Sequence, residues 1–219
     1  KELASMMVGR ETFGVSRPDS KAAVQKPVLE LVNLCANDDK KLPVLKNISL
    51  TVNEGEILGI AGVGGNGQKE LAETICGVRP PTSGKILLEG QDVTGKSPRE
   101  LTLAGMGRIP EDRHEGMVVQ LSVTDNLVLE HLDEFTRNGV LDHKAIRQYA
   151  GDLIKKFQIK AKPNDVTRTL SGGNMQKVLL ARVLARQPKV IIAPQPTRGL
   201  DIGATDYVRQ QLLEQRQRG

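Results

Sequence analysis

The chain of 219 residues has no tryptophan, two tyrosines, three phenylalanines, three histidines and two cysteines. With so few aromatics its core has to be built from Leu, Ile, Val and Ala, which suits a parallel sheet covered by helices. Cys35 and Cys76 match neither a disulfide framework nor a metal spacing, and read as small buried hydrophobes in a reducing compartment. His114, His131 and His143 stand among polar residues and read as surface histidines, so no metal site is expected. No apolar run approaches the roughly 18 residues that span a bilayer, and no signal-peptide pattern is present. Any link to a membrane then has to pass through a partner protein. The formal net charge of +5 is spread without a basic run or interleaved aromatics, which speaks against a nucleic-acid partner.

What the chain has in plenty is glycine, 22 residues of it. The most telling pair lies in Leu170-Ser171-Gly172-Gly173-Asn174-Met175-Gln176-Lys177. A serine and two bare glycines opening an apolar helical run put a hydroxyl and free N–H groups at a helix N-terminus, an arrangement suited to an anion. An ordinary N-cap needs one Ser or Thr and no glycine pair. Downstream, Val190–Ala193 reads as a buried strand running into Pro194-Gln195-Pro196-Thr197-Arg198-Gly199-Leu200-Asp201.

A second glycine cluster lies upstream. The apolar run Glu56–Ala61 reads as a buried strand leading into Gly62-Val63-Gly64-Gly65-Asn66-Gly67-Gln68-Lys69-Glu70, then a helical pattern ended by Gly77. Strand, glycine loop and helix are the setting of a phosphate-binding loop. Gly62 and Gly67 fit the pattern G-x-x-x-x-G-K-[ST], but Gln68 stands where the lysine belongs and Lys69 where the hydroxyl belongs. Lys69 should point away from a phosphate, because one helical step turns a side chain by roughly 100°. The missing lysine removes a contact worth about 1.5–3 kcal/mol, and Glu70 repels what is left. A loop of the right shape that holds no tight nucleotide therefore stands beside a working one as a reading.

Together these segments resemble the Walker A loop, signature motif, Walker B strand and D-loop of ATP-binding-cassette (ABC) ATPases, over roughly residues 28 to 219. The resemblance implies an α/β P-loop NTPase fold with a mixed sheet, an N-terminal antiparallel β portion and a helical subdomain at about 112–168. The cassette would occupy 27–219. Residues 1–26 read as a linker, with a short amphipathic helix at 1–10 similar to the tail of a preceding cassette; a partly disordered leader is the alternative. The first residue is Lys rather than Met, and the chain stops at Gly219 inside a helix that begins near Asp201. A piece of a longer polypeptide is expected from both ends.

Val28–Leu34 and Val44–Val52 read as strands, Pro80–Lys85 as a turn and Ile86–Gly90 as a strand. Helices are predicted over Ser97–Gly105, Ser122–His131, Asp142–Phe157 and Asn174–Arg186. Members of the family usually carry an aromatic between the first two strands that stacks on adenine. None is present here, a loss on the order of 1 kcal/mol. The Pro110-Glu111-Asp112-Arg113 run resembles the Q-loop region, with Glu111 about where the family has glutamine; a solvated charged turn is the alternative. The Walker B strand normally ends in Asp-Glu, and here those places hold Pro194 and Gln195. Proline offers no ligand, and glutamine orients water but takes no proton. The Gln-Pro-Thr-Arg-Gly-Leu-Asp form resembles purine-nucleoside importers rather than ribose-type ones. A switch histidine would follow the D-loop, and no histidine follows Asp201.

In the family, cassettes pair head to tail and each signature turn meets the nucleotide on its partner. The resemblance thus implies a division of labour. Ser171, Gly172, Gly173 and Asp201 would serve a competent site on the partner, where ATP and Mg²⁺ bind. The chain's own site, at Gly62, Gly65, Asn66, Gly67, Gln68, Lys69, Glu70, Glu111 and Gln195, would be weak or empty. The implied protein is the second, degenerate cassette of an importer for nucleosides or simple sugars, peripheral on the cytoplasmic face of the membrane. Its partners would be the preceding cassette, permease subunits and, indirectly, a substrate-binding protein. Two rivals stay open: a cassette that hydrolyses ATP itself, and a soluble tandem cassette protein acting on ribosomes or nucleic acid.

Overall fold

A computed structural model describes residues 26–218. Apart from Lys26, the expected linker and its amphipathic helix lie outside the described residues. The chain divides into two units, one formed by Lys1–Met106 with Asp201–Gly219 and one by Gly107–Leu200.

In the first unit, β1 (Pro27–Asn37) pairs antiparallel with β2 (Pro43–Asn53), and α1 (Gln68–Ile75) follows the glycine loop. Strands β3 (Ser83–Leu88) and β4 (Gln91–Asp92) complete a sheet of order β2-β1-β3-β4. Leu31 faces Leu50 on one side and Ile86 on the other. The buried positions of β1 change parity along the strand, from Leu29 and Leu31 to Leu34 and Ala36. The cause lies between them: Asn33 has φ 48°, and both ladders shift register there. An extra residue turns every later side chain to the other face. A Cβ at Gly84 would stand 2.4 Å from the Asn33 carbonyl oxygen, so this bulge needs glycine opposite it. Helix α2 (Pro98–Ala104) opens with a Ser97–Glu100 capping box and closes on Gly105 at φ 108°, the asymmetry expected of a short, well-terminated helix.

In the second unit, β5 (Met106–Arg108) pairs with β8 (Val190–Ile192), and the elements between them are largely helical. They comprise α3 (Val123–Val128), the small hairpin of β6 (Thr136–Arg137) and β7 (Val140–Leu141), α4 (His143–Lys156) and α5 (Gly172–Ala185). Helix α5 is the core element of this unit. Nearly its whole length from Met175 to Leu184 is buried, as expected of a helix that is apolar all round. Back in the first unit, α6 (Ile202–Arg218) ends with Arg216 Nε donating to the Gly55 carbonyl at 3.1 Å. Among the described residues no helix is long and apolar enough to cross a membrane.

Asn126, fully buried, is the polar hub of the second unit. Its Oδ1 accepts from Val118 N at 3.0 Å, and its Nδ2 lies within reach of the Val118 and Ser122 carbonyls and of Thr167 Oγ1 at 2.9, 3.1 and 2.9 Å. The threonine hydroxyl passes its own proton to the Leu121 carbonyl at 2.9 Å. Such a network tolerates burial only because its members are satisfied.

Several expectations need correction. Glu56–Ala61 is not a strand: among the described strands none pairs with it, and Ile57 and Ile60 are 56% and 55% exposed. A strand is defined by its ladder, and an apolar run without one has no regular conformation to hold. The helix expected over Ser122–His131 stops at Val128, and a 3₁₀ turn follows at Leu132–Phe135. Strand β3 begins at Ser83, inside the expected turn. His131 is buried rather than on the surface, held between Glu134 Oε1 at 3.2 Å and the Tyr149 hydroxyl at 3.3 Å. Cys35 is only half-buried, with its thiol 3.3 Å from Asn47 Oδ1.

Candidate functional site

The glycine loop keeps its shape and closes on itself. Gly67, the N-cap of α1, has φ 93° and no side-chain hydrogen bond caps the helix. The first-turn N–H groups are thus left as a P-loop leaves them. Gly65 also has positive φ, 86°, and a Cβ there or at Gly64 would meet nothing within 4 Å. Asn66 lies exposed between Gly65 and Gly67. Gln68 changes the picture. Its Nε2 donates to the Val63 carbonyl at 3.2 Å and lies 2.2 Å from where a Cβ on Gly62 would sit. The side chain standing in the lysine's place folds back across the loop instead of reaching outward.

The next two residues turn elsewhere. Lys69 is 65% exposed and pairs with Glu73 at 3.7 Å, one helical turn on. Glu70 sits in the first turn of α1, where its negative charge complements the helix dipole in place of an anion.

In the second unit, Ser171 is the N-cap of α5. Its Oγ accepts from Asn174 N at 3.4 Å and from Asn174 Nδ2 at 3.0 Å. It is exposed, and its own O–H is available to an acceptor in front of the helix. Gly172 and Gly173 are the first two residues of α5. About one helical turn later, Gln176 is buried and donates to the Pro196 carbonyl at 3.0 Å, which ties α5 to the segment after β8.

Glu111 and Gln195, 84 positions apart, meet: Gln195 Nε2 donates to Glu111 Oε1 at 3.0 Å. Arg198 Nη1 forms an ion pair with the same oxygen. The Glu111 carboxylate is therefore neutralised by an arginine three residues past Gln195. Gln195 has φ 42°, an uncommon conformation for a residue with a side chain. In the first unit, Asp201 acts as a helix cap, with Oδ1 accepting from Ala204 N at 2.8 Å.

Sequence reasoning assigned no role to Arg198, Arg113 or Gln176. Arg113 and Arg198 lie inside the Pro-Glu-Asp-Arg and Pro-Thr-Arg-Gly-Leu-Asp runs. An arginine in a glycine- and proline-rich loop, with acidic neighbours, was the available signal.

A family model described as ABC transporter matches residues 45–198. The chain belongs to the ABC transporter family. This ABC chain is 43% identical over 226 residues to the glucose import ATP-binding protein of Haloferax volcanii, covering 100% of itself and 40% of that protein. It is 41% identical to the guanosine import ATP-binding protein of Bacillus subtilis, covering 43% of it. It is 36% identical to a ribose import ATP-binding protein of Chromobacterium violaceum, covering 39%. The chain thus spans about two fifths of the length of the curated relatives it matches.

Among solved structures, a nucleotide-free ATP-binding cassette from an ABC transporter overlays with a TM-score of 0.75 at 23% identity, over 88% of this chain and 78% of that one. A cassette solved as a dimer in a post-hydrolysis state with ADP and Pi overlays with a TM-score of 0.72 at 25% identity, over 87% and 83%. The fold is therefore that of an ABC ATPase: an α/β P-loop NTPase with an antiparallel N-terminal sheet and helical parts.

Proposed function

We propose that this chain is a degenerate ATP-binding cassette, the second of a tandem pair, in an importer for nucleosides or simple sugars. Its own nucleotide site is weak or empty, and it lends its signature turn to the competent site of the preceding cassette. The observation that carries this reading is the Gln68 amide folded onto Val63 and Gly62. A loop that cradles phosphates needs its concavity open and a cation at its helix end; this one is spanned by a neutral amide, with Lys69 turned to Glu73.

The donor set gives further support. The Glu111 carboxylate is already neutralised by Arg198, and Pro194 and Gln195 stand in place of the acidic pair. These residues do not fit a magnesium nucleotide of their own. Ser171, by contrast, is exposed with a free hydroxyl proton at the head of a 14-residue helix.

The kind of cargo follows from the relatives, whose names specify glucose, guanosine and ribose import. Partners would be permease subunits, met through a helical subdomain at about 112–168, and through them a substrate-binding protein. The complex would work at the cytoplasmic face of the membrane, with ATP and Mg²⁺ at the composite site. Magnesium-ATP titration and turnover on this chain alone test the reading. Affinity weaker than the millimolar range and no turnover are expected, against restored turnover in the full-length protein with its permease. Micromolar binding with turnover by the chain alone would overturn it. Co-purification with ribosomes or nucleic acid in place of a permease would point to the soluble tandem class instead.

A further inference from the structure

The guanidinium of Arg113 lies against the first glycine of the signature turn. A Cβ built at Gly172 would meet Arg113 Nη2 at 3.1 Å, Cζ at 3.3 Å and Nε at 3.5 Å. Three atoms of one plane at such similar distances mean that the flat face of the group, not its tip, covers Gly172. The same group reaches a third segment. Its Nη1 donates to the Arg198 carbonyl at 3.2 Å, and a Cβ on Gly199 would meet Nη1 and Nη2 at 3.7 and 3.8 Å. Its Nε is buried with no hydrogen-bond partner among the described residues.

Gly172 is not among the glycines with positive φ, so the backbone alone does not require glycine there. The missing side chain makes room for the arginine. A planar guanidinium lying between two turns also differs from a lysine, which carries a point charge and no face. One donor is used and one is buried unused, so the residue is held there by shape more than by its own hydrogen bonds.

We propose that Arg113 is a positioning residue for ATP turnover: it docks the signature turn at Gly172 onto the turn at Arg198–Gly199, and so fixes where the Ser171 hydroxyl stands. The inference rests on the reading that Ser171 serves a nucleotide held by the partner cassette. Arg113 itself touches no reacting group. A shift of the signature turn by a fraction of an ångström acts on hydrolysis and leaves the partner's phosphate loop unchanged.

The test uses the full-length protein assembled with its permease subunits, and compares steady-state magnesium-ATP turnover of Arg113→Ala, Arg113→Lys and Ser171→Ala. Thermal unfolding of each variant accompanies the assay. Arg113→Ala is expected to lower kcat by about tenfold with KM changed less than about twofold, the pattern of lost positioning rather than lost binding. Arg113→Lys should recover only part of kcat, since it can reach the Arg198 carbonyl but cannot cover Gly172. Wild-type kcat in Arg113→Ala beside an impaired Ser171→Ala overturns the role of Arg113 and leaves the trans reading standing. Wild-type kcat in Ser171→Ala overturns the trans reading, and this inference with it. If Arg113→Ala is unfolded at the assay temperature, Arg113→Lys decides: a reduced kcat supports the positioning role, and wild-type kcat sinks it.

Discussion

Gln68 Nε2 donates to the Val63 carbonyl at 3.2 Å, so the first residue of α1 closes the loop that precedes it. The two ends of the loop depend on one another. Only a glycine at 62 lets the amide lie where it does, because a Cβ there would overlap it at 2.2 Å. Lys69 gives no help, because its ammonium turns to Glu73, one helical turn on.

Reversing these two changes should restore binding. The double variant Gln68→Lys, Lys69→Thr should gain roughly ten- to a hundredfold in magnesium-ATP affinity, the worth of a charge-assisted phosphate contact. Titration calorimetry on this chain measures it. Gln68→Ala alone, which opens the loop without supplying a cation, should gain much less. Equal affinity in the double variant and the parent would show that something other than these positions blocks the site.

The capping of α5 by Ser171 is separable from the role proposed for its hydroxyl. As a cap its contacts are modest, 3.4 Å from Asn174 N and 3.0 Å from Asn174 Nδ2. Ser171→Ala should therefore cost this chain only about 0.5–1 kcal/mol in urea unfolding. A loss above roughly 3 kcal/mol would exceed any capping role and would mean that the residue is chiefly structural.

Arg182 makes the opposite forecast. It is 4% exposed, pairs with Glu130 at 3.0 Å and donates to the Gly116 carbonyl. Burial pulls its pKa down, opposed by the Glu130 charge. Arg182→Ala strands Glu130 and opens a void, and should cost about 2–3 kcal/mol. Arg182→Met refills the space and should cost visibly less. Chemical denaturation of the two variants checks the order, and equal losses would assign the effect to charge alone.

Alkaline stability should report on the two tyrosines. Burial, and then the Glu134 charge, push the Tyr149 phenol up to about 12; burial and Glu214 do the same for Tyr207. The folded state holds these protons more tightly than the unfolded one. Their contribution is fully present below pH about 10 and is lost as pH rises through about 12. Tyr149→Phe should flatten part of that decline in urea midpoints measured across the range. An unchanged slope would show that the phenol ionises as freely as in the unfolded chain. With no tryptophan present, phenolate absorbance gives an independent reading.

The helix boundaries were the most legible part of the chain. Ser97 and Ser122, each followed three residues on by an acid, carry their signal in four residues and form capping boxes. Asp142 likewise opens a helix, and Gly105 closes one, where they were expected to. Contacts that depend on distant partners were not legible. Glu56–Ala61 has the composition of a buried strand, but composition does not supply a ladder. His131 has polar neighbours in the chain, and is buried because Tyr149, 18 positions away, covers it. At the candidate site, the departures from the family pattern at 68, 69, 194 and 195 could be read residue by residue. Their replacements could not: the Gln68 amide turned inward and Arg198 set on Glu111 are matters of side-chain direction.

The Asn126 hub has a consequence for what can occupy that position. One oxygen must accept while the two protons of one NH₂ group are shared among three acceptors crowded around it. Aspartate has the same outline, yet it would present lone pairs to two carbonyls and a hydroxyl whose proton is already committed to Leu121. Alanine would leave those same oxygens dry and unanswered. Thr167 is bonded in turn to Leu170 N through its carbonyl at 3.1 Å, one step before the signature serine. A change of a single heavy atom at 126 would thus take a donor from Thr167, the residue that closes the turn leading into Ser171.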